Sequence, residues 1–309
     1  MTRTDLALET REEIAKKGEL DGVLFSESRI NGFLCSEINI SSERAQEISG
    51  RKIGRYMTIE TGRLWLKEYC EFKNAVDLLA LKIKETADLD PPGSEKISVL
   101  IAGLGNNFIT ADSIGPKALS KVLITRHLNE QLGEAFGLIE ISGIAPGVLG
   151  QTGMETAEVI LAVSEKIKPS LVILIDALAS RKISRLATTI QLSNTGIAPG
   201  SGVGNHRRAI DSELLGTPVL SIGVPTVVDA ATLSYDVLEE AYNQAGIAPG
   251  ERLTPDILSI ALEESGGNFF VTPKESDMIT NEVSKLIGYA INRCFYDEMT
   301  FEEMSRIMS

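Results

Sequence analysis

Only two histidines, His127 and His206, occur in the 309 residues of this chain, and that scarcity closes several routes to catalysis. Any Ser-His-Asp or Cys-His arrangement must use one of them. No His-Glu-x-x-His zinc signature is present, and Ser201, in Pro199-Gly200-Ser201-Gly202-Val203, lacks the Gly-x-Ser-x-Gly nucleophile elbow. The three cysteines, Cys35, Cys70 and Cys294, are scattered and odd in number. They read as small core residues in a reducing compartment, not as a disulfide framework. Cations are also in the minority: 30 Lys and Arg stand against 43 Asp and Glu, a formal net charge of −13. Such a balance argues against a nucleic-acid or anionic-membrane surface, which needs clustered Lys and Arg. No apolar run approaches the ~20 residues of a membrane span. Met1-Thr2-Arg3-Thr4-Asp5-Leu6 has no signal-peptide apolar core, so a cytoplasmic protein is expected.

What remains is a chain with ample core. At 309 residues and 43% hydrophobic content it can bury a large interior. Residues 1–20 have a charged, helical composition, and Gly22 to Ile40 holds two alternating runs around Asn31-Gly32, a hairpin signal. A short helix capped by Ser41 and Ser42 follows, then a strand at Tyr56-Met57-Thr58-Ile59 and an amphipathic helix from about Leu64 to Ala87. Past the turn cluster Asp90-Pro91-Pro92-Gly93 the rhythm changes. Strands at 97–103, 138–142, 170–176, 188–192 and 218–223 alternate with helices at 116–128, 153–167 and from about 228 and 275. That alternation predicts an α/β fold with a mostly parallel central sheet flanked by helices. One domain is expected, with its core sheet over 94–309 and an N-terminal β-hairpin and helix decoration over 6–93. The pentapeptide Gly-Ile-Ala-Pro-Gly begins at Gly143, Gly196 and Gly246, but its flanks do not match. It reads as reused turn chemistry, not as a structural repeat.

Two aspartates carry the functional argument. Asp112 follows the strand Ile97–Gly103 and its Gly103-Leu104-Gly105-Asn106 turn, and Asp176 closes Leu171-Val172-Ile173-Leu174-Ile175. Ligands in open α/β sheets bind beyond the carboxyl ends of the strands. Two carboxylates delivered there can share a proton and activate water, or hold a metal. Taken alone, Asp112 would read as a turn or capping residue and Asp176 as a solvated strand end. The apolar setting of Asp176 and the equivalent placement of Asp112 favour a paired site. The glycine pair after the first strand lacks the third glycine of a dinucleotide fingerprint, so a nucleotide-binding scaffold ranks behind a hydrolase. The loop Gly200–Arg208, with Gly202 and Asn205, is a candidate for holding a peptide backbone, against a plain surface connection.

The segments together resemble the germination protease family, spore endopeptidases that degrade small acid-soluble spore proteins. The resemblance runs through Thr4-Asp5-Leu6-Ala7-Leu8-Glu9, Gly54-Arg55-Tyr56-Met57-Thr58-Ile59-Glu60, Gly103-Leu104-Gly105-Asn106 and Gly115-Pro116-Lys117-Ala118. It continues through Thr152-Gly153-Met154-Glu155-Thr156, Ile175-Asp176-Ala177-Leu178-Ala179, Pro199-Gly200-Ser201-Gly202-Val203-Gly204-Asn205 and Val224-Pro225-Thr226-Val227-Val228-Asp229. The resemblance implies a phosphorylase/hydrolase-like three-layer sandwich, an atypical aspartic peptidase with Asp112 and Asp176 as its catalytic pair, and no cofactor. It further implies a homotetramer of the spore core. It also implies a zymogen that trims its own N-terminus, which here places the cut between Asp5 and Leu6 and makes residues 1–5 the pro-segment. An acidic residue before the cut would need a cationic subsite, for which Arg181 is the candidate, its alternative being a solvated surface charge. The Gly-Leu-Gly-Asn, acidic, Gly-Pro layout also resembles hydrogenase maturation endopeptidases, which keeps a metal-dependent peptidase as the alternative.

Overall fold

The computed structural model of the chain describes residues 4–15, 21–88, 97–128, 139–200, 207–248 and 269–307, with 253, 254, 257, 260, 261 and 264. Asn31 and Gly32, at φ of 52° and 87°, turn β1 (Val23–Ile30) back onto β2 (Phe33–Ile40). Positive φ at both central residues suits the twist of a two-residue hairpin. β3 (Gly54–Glu60) pairs antiparallel with β2 and then with β7 (Thr189–Ser193), so the hairpin region continues the main sheet. The other strands are β4 (Ser98–Gly103), β5 (Glu140–Ile144), β6 (Leu171–Ser180), β8 (Val219–Asp229) and β9 (Phe270–Val271). Their order is β1-β2-β3-β7-β8-β6-β4-β5, with β9 attached to β8. β5, β4, β6 and β8 run parallel, whereas β7 and β9 join β8 antiparallel.

The parallel centre is apolar on both faces, as a doubly covered sheet requires. Val99, Ile101, Ile173 and Ile175 pack against α3 (Tyr69–Thr86), α4 (Ile114–Leu119) and α9 (Ser276–Phe295). Leu100, Ala102, Val172 and Leu174 point the other way, towards α6 (Thr156–Ile167), which follows the single turn α5 (Leu149–Thr152), and α7 (Ser212–Leu215). The result is a three-layer sandwich, each of these buried Val, Leu and Ile side chains contributing about 1.5–3 kcal/mol. A third cluster sits over the antiparallel flank, where α1 (Ala7–Ala15) and α2 (Glu43–Ser49) bring Ala7, Leu8 and Ala45 onto Ile38, Ile40 and Tyr56. Among the described residues no helix is long and apolar enough to cross a membrane.

Three local expectations change. The helix expected over 116–128 starts at Ile114 and ends at Leu119. Asn292 of α9 is the physical reason: its side chain accepts from Leu123 N–H at 2.8 Å and donates to the Lys121 carbonyl at 2.9 Å, holding the chain in a turn. Gly288, one turn earlier, lets that turn approach, since a Cβ there would lie 2.5 Å from Lys121 Cβ. β6 and β8 also outrun their expected ends at 176 and 223, pairing with each other as far as Ser180 and Val228 across a bulge at Leu178/Ala179. The three Gly-Ile-Ala-Pro-Gly copies serve different ends: Gly143 lies in β5, Gly196 follows β7, and Gly246 caps α8 (Ala230–Ala245).

Candidate active site

The notch that holds the aspartates exists because β4 stops before its neighbour. β4 and β6 stay in register up to Gly103 and Ile175; there Leu104 N–H donates to the Ile175 carbonyl at 2.8 Å and the chain turns away. Two glycines make the turn possible. Gly105 has φ +105°, and a Cβ on it would stand 2.0 Å from the Asp112 carbonyl oxygen and 2.9 Å from its Oδ1. Gly115, at the start of α4, would put a Cβ 2.3 Å from the Leu104 carbonyl oxygen and 2.5 Å from that of Ile175. Their bare backbones let the helix start and the Asp112 loop close onto the strand ends. Asp112 itself ends a 3₁₀ turn (Thr110–Asp112), and its Oδ2 accepts from Asn106 N–H at 2.8 Å.

Asp176 is the first residue of β6 beyond β4. It is therefore not at the end of its strand, as expected from sequence, but at the end of its pairing on one side. It is 4% exposed, and its Oδ1 accepts from Ala177 N–H at 2.9 Å. Asp112 and Asp176 line one cavity of about 390 Å³, together with Asp5, Ile109, Pro199, Gly200, Arg207 and Phe270. Burial, then the charge of Asp112, pushes the Asp176 carboxyl well above the usual carboxylate range, with a further upward push from Asp5. The hydrogen bond from Ala177 and the Arg207 cation act the other way. Burial raises Asp112 as well, against the Asn106 hydrogen bond and Arg207. Two like charges in one enclosed space separate their titrations, so the pair can hold one proton between them. Among the described residues no group of three or more His, Cys, Asp or Glu side chains is placed to hold a metal ion.

The segment around Asp5 runs into this cavity. Asp5 N–H donates to the Ala179 carbonyl at 2.9 Å, and Ala179 N–H donates to Asp5 Oδ2 at 2.8 Å. Leu6 is fully buried. Glu9, 2% exposed, anchors the segment: it accepts from Ser180 Oγ at 3.0 Å, Arg181 N–H at 2.8 Å and Lys182 N–H at 3.1 Å, and faces Arg185 Nη1 at 3.4 Å. Asp5 thus shares the cavity of Asp112 and Asp176, whereas Leu6 is not among its lining residues. Nor is Arg181: its guanidinium pairs with Asp236 at 3.2 Å and lines a neighbouring cavity with Glu9, Glu12 and Lys182. Gly202, Asn205 and His206 lie outside the described residues, whose nearest members, Gly200 and Arg207, line the aspartate cavity. His127 is exposed and is not among that cavity's lining residues. Sequence reasoning missed Arg207, because nothing in its spacing separates it from Arg208.

A profile of the germination protease family matches residues 2–255. The chain belongs to that family. It is 40% identical to the germination protease of Clostridium perfringens over 99% of both chains, and 39% identical to that of Caldanaerobacter subterraneus over 99% of this chain and 98% of the relative. The Priestia megaterium germination protease is 34% identical over 96% of this chain and 92% of its own length. Membership makes the chain a peptidase of spore germination. Among solved structures, the NiFe hydrogenase maturation protease HycI from Thermococcus kodakarensis matches 64% of this chain and 94% of its own, with 16% identity and a TM-score of 0.33.

Proposed function

We propose that the chain is an endopeptidase that hydrolyses small acid-soluble spore proteins through water activated by Asp112 and Asp176. The observation that carries this reading is the shared cavity of the two carboxylates, with Asp176 buried beside the charge of Asp112. Asp112, less buried and hydrogen-bonded by a backbone N–H, is the ionised base that takes a proton from water. The water oxygen attacks the scissile carbonyl carbon. Asp176, the group driven towards its protonated form, donates to the leaving nitrogen as the C–N bond breaks. No covalent enzyme intermediate is needed.

The protein is a zymogen in this reading, with Asp5–Leu6 as the bond it cuts in itself, and it works as a homotetramer in the spore core. Support for the cut comes from the docking of that bond against β6, three residues past Asp176. The metal-dependent alternative is not favoured: a cation held by these two carboxylates would stand with Arg207 in the same cavity, against like-charge repulsion. The test is digestion of a purified small acid-soluble spore protein by protein that begins at Leu6, beside the full-length chain. Cutting at one or two defined bonds by the shorter form, with a lag for the longer one, supports the reading. No defined cut by either form contradicts it.

A further inference from the structure

Between the aspartate cavity and the interior of the antiparallel flank stands one side chain that grips both sides of the Asp5–Leu6 bond. Gln191, on β7, is 8% exposed. Its Oε1 accepts from Ala7 N–H at 2.7 Å, and its Nε2 donates to the Asp5 carbonyl oxygen at 3.3 Å. The orientation of the carboxamide is fixed by its partners, since an N–H can meet only its oxygen and a carbonyl only its nitrogen. The N–H of the same peptide, on Leu6, donates to Thr4 Oγ1 at 3.1 Å, and the N–H of the preceding peptide, on Asp5, to the Ala179 carbonyl at 2.9 Å. Asp5 lines both the aspartate cavity and a neighbouring cavity of about 250 Å³ to which Gln191 belongs. Asp5 thus borders the cavity of the carboxylates on one side, while its carbonyl oxygen meets the Gln191 carboxamide.

We infer that Gln191 is the oxyanion donor of this peptidase, its Nε2–H stabilising the charge that develops on the scissile carbonyl oxygen. The inference rests on the aspartate reading above and adds a part to it. Water oxygen bonds to the Asp5 carbonyl carbon while Asp112 takes a water proton, and the carbonyl π electrons move onto the oxygen facing Gln191. Collapse restores the C=O bond and breaks C–N, the leaving Leu6 nitrogen taking the proton of Asp176. One proton passing from Asp112 to Asp176 restores the pair. A buried donor aimed at that oxygen before the reaction needs no reorganisation as charge appears.

The experiment compares wild type, Gln191→Met and Gln191→Glu, with Asp112→Asn and Asp176→Asn beside them. Cutting at Asp5–Leu6 in the full-length chain is followed by N-terminal mass. In parallel, kcat and KM are measured on a peptide copying residues 1–12, with protein beginning at Leu6. Gln191→Glu keeps an oxygen for Ala7 N–H and, when ionised, offers the Asp5 carbonyl no donor; protonation restores an O–H donor, so its kcat is read as the pH is raised. Loss of one oxyanion donor predicts a fall in kcat of about 100-fold in both Gln191 variants, with KM changed less than about threefold. A raised KM with unchanged kcat would make Gln191 a mere anchor and overturn the inference, as would unchanged cutting by both variants. If wild type leaves the Asp5–Leu6 bond intact in both formats, the docked bond is not a substrate and the inference falls. If the aspartate variants still cut while the Gln191 variants do not, the oxyanion donor stands and the aspartate reading falls. Thermal melts separate a folding defect in Gln191→Met from a catalytic one, and Gln191→Glu then decides.

Discussion

Asp5 and Ala179 exchange two hydrogen bonds, one through the Asp5 backbone N–H at 2.9 Å and one through its carboxylate at 2.8 Å. At Ala179, beyond the point where β4 stops, β6 is thus met by Asp5. An extended segment added to an exposed strand edge is a recurring way of binding peptides. Asp5→Ala removes the charged acceptor, a loss of about 1.5 kcal/mol or more for a hydrogen bond to an ionised group. The rate of cutting at residue 5 should fall about tenfold or more. N-terminal mass against time checks this, and an unchanged rate would mean the carboxylate does not seat the bond.

Catalysis needs Asp112 ionised and Asp176 protonated. The rate should therefore rise as pH climbs through the Asp112 titration and fall as it climbs through that of Asp176, both displaced upwards from ordinary carboxylates. A pH–rate profile on a fixed peptide reads both limbs. A rate that keeps rising through the whole acid-to-neutral range would contradict the protonated role of Asp176.

Arg207 lowers both carboxyl groups. Replacing it with alanine removes that stabilisation of the charged forms, so both limbs of the profile should move to higher pH. Movement to lower pH, or none, would place Arg207 away from the pair.

Folding stability should show the same burial with the opposite benefit. A carboxyl whose folded pKa is raised favours the native state below its unfolded value, and this contribution is lost as pH rises through the folded value. Asp176→Asn should therefore melt higher than wild type at neutral pH, with the gap closing in acid. Removing Glu9 acts the other way: Glu9→Ala takes one of two carboxylates from buried Arg185, which keeps Glu12, and removes the acceptor that Arg181 N–H meets at 2.8 Å. That should destabilise by about 1–3 kcal/mol in urea titrations.

Gly105→Ala tests the architecture of the site. Its φ of +105° and the 2.0 Å approach of a Cβ to the Asp112 carbonyl oxygen leave no relaxed position for the methyl group. Strain of about 1–3 kcal/mol and displacement of Asp112 are expected. A variant as stable and as active as wild type would show that the loop geometry does not position the aspartate.

Much of this was legible before any coordinates. The long apolar runs ending at Gly103 and Asp176 gave the parallel centre, because strands buried on both faces leave no polar alternation to obscure them. Asn31-Gly32 gave the hairpin. The true lengths of β6 and β8 were hidden, since Ala177-Leu178-Ala179 reads equally as loop or strand until its partner is known. The early end of α4 depends on Asn292, some 170 positions away, and no local pattern reports such a contact. Of the site, the two aspartates were visible from strand position and resemblance. Arg207, Gln191 and the docking of Glu9 were not, because each acts through tertiary contacts that carry no spacing.

The central claim is that Asp112 and Asp176 together perform the chemistry. The most direct measurement is mass spectrometry of a peptide copying residues 1–12 after incubation with protein beginning at Leu6, for wild type, Asp112→Asn and Asp176→Asn. The account predicts a single cut between Asp5 and Leu6 by wild type and none by either variant. Cutting that survives both substitutions would place the chemistry elsewhere.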